Sequence, residues 1–205
     1  MTTYFLVITI VVSLIAFQNS ETFSKLIFNP YVIHTRKQWY RFFTSGLIHA
    51  DYLHLAVNMF VLYSFGNAVE MYYSMAFADR GAALYVILYV SALMMSVIPT
   101  YNNHKENPGY NGLGASGAVS AVVFAYVIFD PIRPLWLFGI IKMPGILFGL
   151  LYLFYSYYMG KKGGDNINHS AHMWGAIYGL VFTIVMKPSL ILDFFEKLTY
   201  FSDAF

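Results

Sequence analysis

Six apolar stretches, separated by polar segments, occupy most of this chain. Soluble domains have about 45–50% apolar and about 25% charged residues, whereas this chain is 59% hydrophobic and 11% charged. So much apolar surface cannot be hidden in one water-soluble core, and we predict an all-α membrane protein, a bundle of six transmembrane helices. The predicted spans are residues 4–17, 52–72, 82–99, 114–130, 144–159 and 170–186.

The segments outside the spans complete the predicted organisation. Residues 19–50 carry aromatic residues beside cations, a combination typical of the membrane–water boundary, so we expect a structured interfacial first loop. Residues 135–143 are expected to lie along the interface. We predict one transmembrane domain over residues 1–190 and a short amphipathic or frayed tail over residues 191–205.

Composition excludes several classes of protein. The chain has no cysteine, which rules out disulfides, thiolate metal sites and a cysteine nucleophile. The net charge of +2 is too small to indicate nucleic-acid binding. The first apolar run has no charged leading segment and no Ala-x-Ala cleavage site, so we interpret it as a retained helix.

A serine between small residues opens the fourth apolar stretch. Ser116 lies between Gly114 and Gly117, so its hydroxyl is exposed at a helix start, where backbone N–H groups have no intrahelical partner. A nucleophile with an oxyanion hole needs this arrangement. The same residues have a structural interpretation, because Gly117 and Ala121 form a small-xxx-small pair that lets two membrane helices touch.

Two further helix starts carry polar residues. His54 and Asn58 lie one turn apart near the start of the second span, and His172 lies near the start of the sixth. In a six-span chain the second, fourth and sixth spans cross the membrane in the same direction, so their N-terminal ends meet at one face. Taken singly, a membrane histidine is as easily an interhelical hydrogen-bond partner.

These positions predict a serine–histidine dyad. A serine needs a base, usually histidine, and Gly175 and Gly179 would draw the helix of His172 against the small residues around Ser116. No carboxylate near His172 is expected to join the pair. His54, Asn58 and the backbone N–H of Ser116 are the predicted oxyanion donors.

Two rival functions remain open. A haem or metal protein could use the four histidines His49, His54, His169 and His172, although the His-Glu-x-x-His pattern is absent. We predict no metal and no cofactor, and expect His49 and His169 to be structural or interfacial. The second rival is a catalytically silent membrane binding or chaperone protein.

The motifs together resemble the rhomboid intramembrane serine proteases over residues 4–187. The matching elements are Arg41 in the first loop, the His-Leu-Ala-Val-Asn run ending at Asn58, the Gly-Ala-Ser-Gly run at Ser116, and Ala-His-Met-Trp-Gly at His172 followed by Gly179. The resemblance implies a six-helix bundle that cleaves transmembrane segments of other proteins in the bilayer. It also implies Ser116 as nucleophile, His172 as base, and His54 and Asn58 as oxyanion donors.

The chain departs from the family pattern at two positions. Many relatives have an aromatic residue four positions after the serine, packed on the catalytic histidine, whereas this chain has Ser120. Trp174 and Tyr178 are candidates to compensate. Tyr40 stands where the family has tryptophan before the loop arginine. Both catalytic groups are present, so an active enzyme is expected.

The location of the protein in the cell follows from the resemblance more than from the residues. The family orientation puts the active site on the extracytoplasmic side of a plasma or inner membrane. Counted over the loops, Lys and Arg number seven on the active-site side and five on the other, and the positive-inside rule alone gives the opposite orientation. The glycine-rich loop at residues 160–168 is either a mobile lid or a plain solvated turn.

Overall fold

The fold is dominated by helices. A computed structural model describes residues 1–137, 141–165 and 167–200. Each predicted span corresponds to a helix that begins at most two residues from the expected start. The helices are α1 Thr2–Gln18, α2 Ser20–Leu26, α3 Pro30–Arg36, α4 Arg41–Thr44, α5 Tyr52–Phe77, α6 Gly81–Met95, α7 Ile98–His104, α8 Ser116–Phe129, α9 Gly145–Lys162, α10 His169–Met186 and α11 Leu190–Thr199, with 3-10 turns at Ser45–Leu47 and Ala78–Arg80.

Helix α8 is the centre of the molecule. Its residues are apolar or small on every side, and all of them from Gly117 to Phe129 are buried. A helix that is hydrophobic all round has no face for solvent, so it is surrounded by other helices. Helices α5, α6, α9, α10 and α11 all pack on α8, and the residues at its first turn are therefore held from several directions.

Helices α8 and α10 lie side by side with their backbones in close approach. A Cβ atom added at Gly175 would overlap the carbonyl oxygen of Gly117, and one added at Gly179 would lie 2.5 Å from the Cα of Ala121. Moving four residues along α10, from Gly175 to Gly179, moves the contact four residues forward along α8, from Gly117 to Ala121. The two helices therefore run parallel. Small residues at both points allow this separation, as in closely packed membrane helices.

Helices α5 and α6 form a reversal. Ala78 has a φ of 49° at the end of α5, a positive value that ends the right-handed helix at this residue. Gly81 starts α6 so close to α5 that an added Cβ would lie 2.6 Å from the Cα of Ser74. The chain therefore folds back on itself at this point.

Length and hydropathy identify fewer spans than the sequence pattern does. Among the described residues, one helical run over 52–104 is long and apolar enough to cross a membrane. The pair α10 and α11, bent by 110°, meets the same test only if it is counted as one span, while α1 and α8 are apolar but shorter. One or two spans are thus found in this way, and the six-span bundle goes beyond that finding.

The first loop is ordered and helical. Asn19 and Asn29 accept hydrogen bonds from backbone N–H groups at the starts of α2 and α3, both 2.8 Å long, as helix-capping side chains do. Phe28, Ile33 and Phe42 form a small buried core of their own. The predicted structure in this loop is therefore present.

Arg41 holds the first loop together and lies outside the group formed by Ser116, His54 and His172. The Arg41 side chain is buried and donates hydrogen bonds to the carbonyls of Ser24 and Ile27, at 2.8 and 2.7 Å, and to the Gln38 side chain at 2.7 Å. A planar guanidinium can serve these three acceptors at once, which an ammonium group cannot do in the same geometry.

We expect Arg41→Lys to lower the free energy of unfolding by about 2–3 kcal/mol, because the ammonium group cannot reach all three acceptors and at least one partly buried hydrogen bond is lost. Thermal unfolding of purified protein in detergent measures the loss. Arg36→Lys, at an exposed position of α3, is the matched control and should change nothing. Equal stability of the two variants would contradict the structural role of Arg41.

The all-helical prediction is wrong between α8 and α9. Residues Pro134–Leu137 (β1) and Ile141–Pro144 (β2) form an antiparallel pair in which Pro134 is opposite Pro144 and Trp136 opposite Lys142. Prolines 131, 134 and 144 interrupt helix formation here because each lacks a backbone donor. The expectation for residues 135–143 includes residues 138–140, which lie outside the described part.

The segment after α10 is helical. Leu190 is buried, and Lys197 Nζ donates a 2.6 Å hydrogen bond to the carbonyl of Phe129 at the end of α8. A cation at this position also suits the negative end of the helix dipole. Helix α11 is therefore docked under α8. Residues 201–205 of the predicted tail lie outside the described chain.

Candidate active site

Ser116 begins helix α8, two residues after Gly114, a position that requires glycine. Gly114 has a φ of 105°, and an added Cβ would lie 2.8 Å from the Cε1 of His54. A side chain there is excluded both by the backbone conformation and by the imidazole ring. Ser116 is partly exposed, and the first N–H groups of α8 have no intrahelical acceptor. Its hydroxyl thus has free backbone donors nearby.

His172 meets Ser116 from the first turn of α10. The Nε2 atom of His172 lies 2.7 Å from the Oγ of Ser116. Asn168 caps α10 by accepting a 3.0 Å hydrogen bond from the N–H of Ala171, and its side chain also pairs with Thr100, which fixes the start of the helix. With the serine hydroxyl as donor, Nε2 is the acceptor, as proton transfer from serine to histidine requires.

His54 and Asn58 lie on one face of α5 beside the same site. Asp51 caps α5 through a 2.7 Å bond from the N–H of His54, and the His54 ring lies over Gly114. The Nδ2 of Asn58 donates a 2.9 Å bond to the carbonyl of His54. An amide nitrogen has two N–H groups, so one remains available for a ligand. The starts of α5, α8 and α10 are thus brought together.

His49 has a larger part in the site than the sequence suggested. It is fully buried, with Nδ1 3.0 Å from the Oγ of Ser13, and Nε2 accepts a 3.5 Å hydrogen bond from the N–H of Ala115. Ser13 donates its one hydroxyl hydrogen to the carbonyl of Leu47, so its oxygen is the acceptor toward His49. The neutral His49 ring therefore carries its proton on Nδ1. Burial lowers the pKa of His49 to about 3, which keeps it neutral.

The ring of His49 also packs edge-on against His54, with centroids 4.9 Å apart. It therefore joins the loop before Ser116 to the ring over Gly114. In the sequence, the one indication that His49 belongs to the site is its position five residues before His54.

A carboxylate lies near the pair without joining it. Asp165 Oδ2 is 3.0 Å from the Nε2 of His169, and this hydrogen bond lowers the pKa of Asp165. The His169 ring in turn meets the His172 ring edge-on, with centroids 5.9 Å apart. In the described part of the chain, the Ser116–His172 pair thus has no carboxylate bonded to it, and His169 separates Asp165 from His172.

The two aromatic residues considered as substitutes at Ser120 lie elsewhere. Trp174 exposes 41% of its surface, and the hydroxyl of Tyr178 pairs with the Oγ of Ser91 at 2.7 Å. The ring that stacks on His172 belongs to Tyr152 of α9. Because α9 is separated from Ser116 by a hairpin, no local sequence pattern pointed to this residue.

Open space lies beside the start of α10. A cleft of about 370 Å³ is bordered by α7, α9 and the loop after α9, and its lining includes His169 and Met173. In that loop Gly163 and Gly164 have φ values of 62° and 104°, which only glycine adopts freely. The loop proposed as a lid contains residue 166, which lies outside the described residues.

The histidines do not gather into a metal site in the described parts of the chain. No three His, Asp or Glu side chains stand together there in a way that could hold an ion. The four histidines of the metal hypothesis occur as two packed pairs, His49 with His54 and His169 with His172.

Comparison with known proteins identifies the family of the chain. The sequence model of the rhomboid domain matches residues 36–189, which contain every predicted site residue. RHOMBOID-like protein 12, mitochondrial, of Arabidopsis thaliana is 30% identical over 143 residues, 65% of this chain and 42% of the relative. Rhomboid-like protein 15 of the same plant is 23% identical over 197 residues, 89% of this chain and 46% of the relative.

A third relative, Rhomboid-like protein 11, chloroplastic, is 27% identical over 187 residues, 80% of this chain and 59% of its own length. The chain therefore spans about half the length of the curated relatives it matches. Two of their names refer to mitochondria and chloroplasts, which gives no support to a plasma membrane in particular. The match over residues 36–189 shows that the chain is a membrane protein of the rhomboid family.

Proposed function

We propose that this protein is an intramembrane serine endopeptidase that hydrolyses peptide bonds in or near transmembrane segments of other membrane proteins. The observation that carries the proposal is the 2.7 Å contact between Ser116 Oγ and His172 Nε2 at two adjacent helix starts. A histidine in this position takes the serine proton as the hydroxyl attacks. Family membership supports the same chemistry.

The first half of the reaction forms an ester. Ser116 Oγ bonds to the carbonyl carbon of the substrate, and its proton passes to His172 Nε2. The negative oxygen that develops is stabilised by the His54 ring, the free N–H of Asn58 and the N–H of Ser116. The C–N bond then breaks, and His172 gives its proton to the leaving amine.

Water completes the cycle. The imidazole, again neutral, takes a proton from a water molecule that attacks the ester, and Ser116 recovers its hydrogen when the C–O bond breaks. Ser116 and His172 are both partly exposed, which leaves their reacting atoms open to water.

The bilayer arrangement is part of the proposal. We infer six spans, formed by α1, α5, α6, α8, α9 and α10, with the active site on the extracytoplasmic side. Helices α5, α8 and α10 would cross in the same direction because their starts meet. The partners are transmembrane substrates and the surrounding lipid.

The testing experiment uses the purified protein in liposomes with a reporter that carries one transmembrane helix. Cleavage is followed in the presence of a metal chelator, and a fluorophosphonate probe measures labelling of Ser116. We expect cleavage and labelling by the wild type, neither of them reduced by chelation. A wild type that neither cleaves nor labels would contradict the proposal and favour a catalytically silent membrane binding protein.

A further inference from the structure

Ser120 is joined to a tyrosine from another helix. It is buried one turn after Ser116, and its Oγ donates a 2.7 Å hydrogen bond to the carbonyl of Ser116. The same Oγ lies 2.5 Å from the hydroxyl of Tyr152 in α9. A serine hydroxyl has one hydrogen, which goes to Ser116, so Tyr152 is the donor in the second bond. Tyr152 is thereby fixed to the first turn of α8.

The ring of Tyr152 covers the His172 imidazole. The two ring centroids are 6.3 Å apart and the ring planes differ by 20°, an offset-stacked arrangement. On its other sides Tyr152 meets Phe124 at 5.7 Å and Phe148 at 5.8 Å. A ring with neighbours on these sides and a bonded hydroxyl at its tip has little freedom to move.

The imidazole of His172 therefore has three different neighbours. Ser116 binds its Nε2, the edge of His169 meets its ring, and Tyr152 stacks on its face. The titratable groups around it are His169 from its own helix, Asp165 from the preceding loop, His54 from α5 and Tyr152 from α9. Among these groups, Tyr152 is the one whose ring is stacked on the imidazole.

We propose that Tyr152 is a positioning residue that holds the His172 imidazole at the distance from Ser116 needed for proton transfer, with Ser120 as its anchor. The inference rests on the proposed peptidase function and names a residue on which that function depends. Without the ring, space opens beside the imidazole, which can then rotate away from Ser116. A misplacement of about 1 Å can cost roughly 100-fold in rate.

The test compares three variants of the full chain with the wild type by kcat, KM and fluorophosphonate labelling rate, each expressed per folded molecule. We expect Tyr152→Leu to lower kcat about 10- to 100-fold while KM stays within about two-fold. Tyr152→Phe keeps the ring and should lose only about three-fold. Tyr158→Leu, an exposed tyrosine on the same helix, is the matched control and should behave as wild type.

The anchor is tested by non-additivity. Ser120→Ala and Tyr152→Phe remove the same hydrogen bond, so the double variant should be no slower than the slower single variant. Multiplied losses in the double variant would contradict the anchoring role of Ser120.

The inference and the proposed function fail in different ways. Tyr152→Leu with wild-type kcat and labelling, with a change in KM alone, or with a loss equalled by Tyr158→Leu, would overturn the positioning role while the wild type remains an active protease. A wild type without labelling or cleavage would overturn both.

Discussion

Replacing Ser116 by alanine is expected to reduce cleavage of a transmembrane reporter by about 10⁴-fold or more, to the level without enzyme. The Oγ of Ser116, 2.7 Å from His172 Nε2, is the only protein atom that forms a covalent bond to the substrate in the proposed mechanism. Loss of such a nucleophile removes nearly all of the rate. His172→Ala should have a similar effect. The measurement is initial cleavage rate in liposomes, with fluorophosphonate labelling beside it.

The control is a serine of the same chemistry without the same neighbours. Ser64 is on the exposed side of α5 and bonds only to the carbonyl of Phe60 in its own helix. Ser64→Ala should cleave as wild type does. Because a nucleophile and its base act as one unit, the double variant Ser116→Ala/His172→Ala should be no worse than either single one. A Ser116→Ala protein that still cleaves would show that the activity comes from another site.

Gly179→Ala is expected to destabilise the protein by about 3 kcal/mol or more, the upper end of the cost of overpacking. The added Cβ would lie 2.5 Å from the Cα and 2.6 Å from the carbonyl carbon of Ala121, and backbone atoms cannot rotate away as a side chain can. Helices α8 and α10 must therefore separate, which also lengthens the contact between Ser116 and His172. We expect a lower unfolding temperature in detergent together with a loss of cleavage by the folded fraction.

The matched control is Gly149→Ala in α9. A Cβ there would lie 3.5 Å from the ring of Phe124, an ordinary contact. Since alanine is the better helix former, this change should leave stability unaltered or raise it by up to about 1 kcal/mol. A Gly179→Ala protein as stable as Gly149→Ala would mean that the close approach of α8 and α10 is not needed for the fold.

The helices could be predicted from sequence because their signals are local. Apolar runs, and the breaks between them at polar residues, glycine and proline, are set by residues close together in the chain. Ser116 and His172 stand at helix starts in these patterns, so the sequence could predict them as a pair, together with the resemblance to the family. The rhomboid family itself was confirmed by the match over residues 36–189.

Other features depended on contacts between distant segments. The antiparallel pair of β1 and β2 contradicts an all-helical fold. The sequence did not predict it because apolar composition alone does not distinguish a short strand from a helix. His49 bridges Ser13 and Ala115, which lie 36 and 66 residues away from it along the chain. No spacing in the sequence records such a bond.

The sequence by itself determined which six apolar segments form the long helices, which side chains are chemically able to act as nucleophile and base, and the family to which the chain belongs. Only the tertiary structure decided that α8 and α10 touch at Gly117 and Gly175, that Asp165 bonds to His169, and that Tyr152 covers His172. The physical reason is that helix formation follows from neighbours along the chain, whereas distances between helices are set by how their side chains pack.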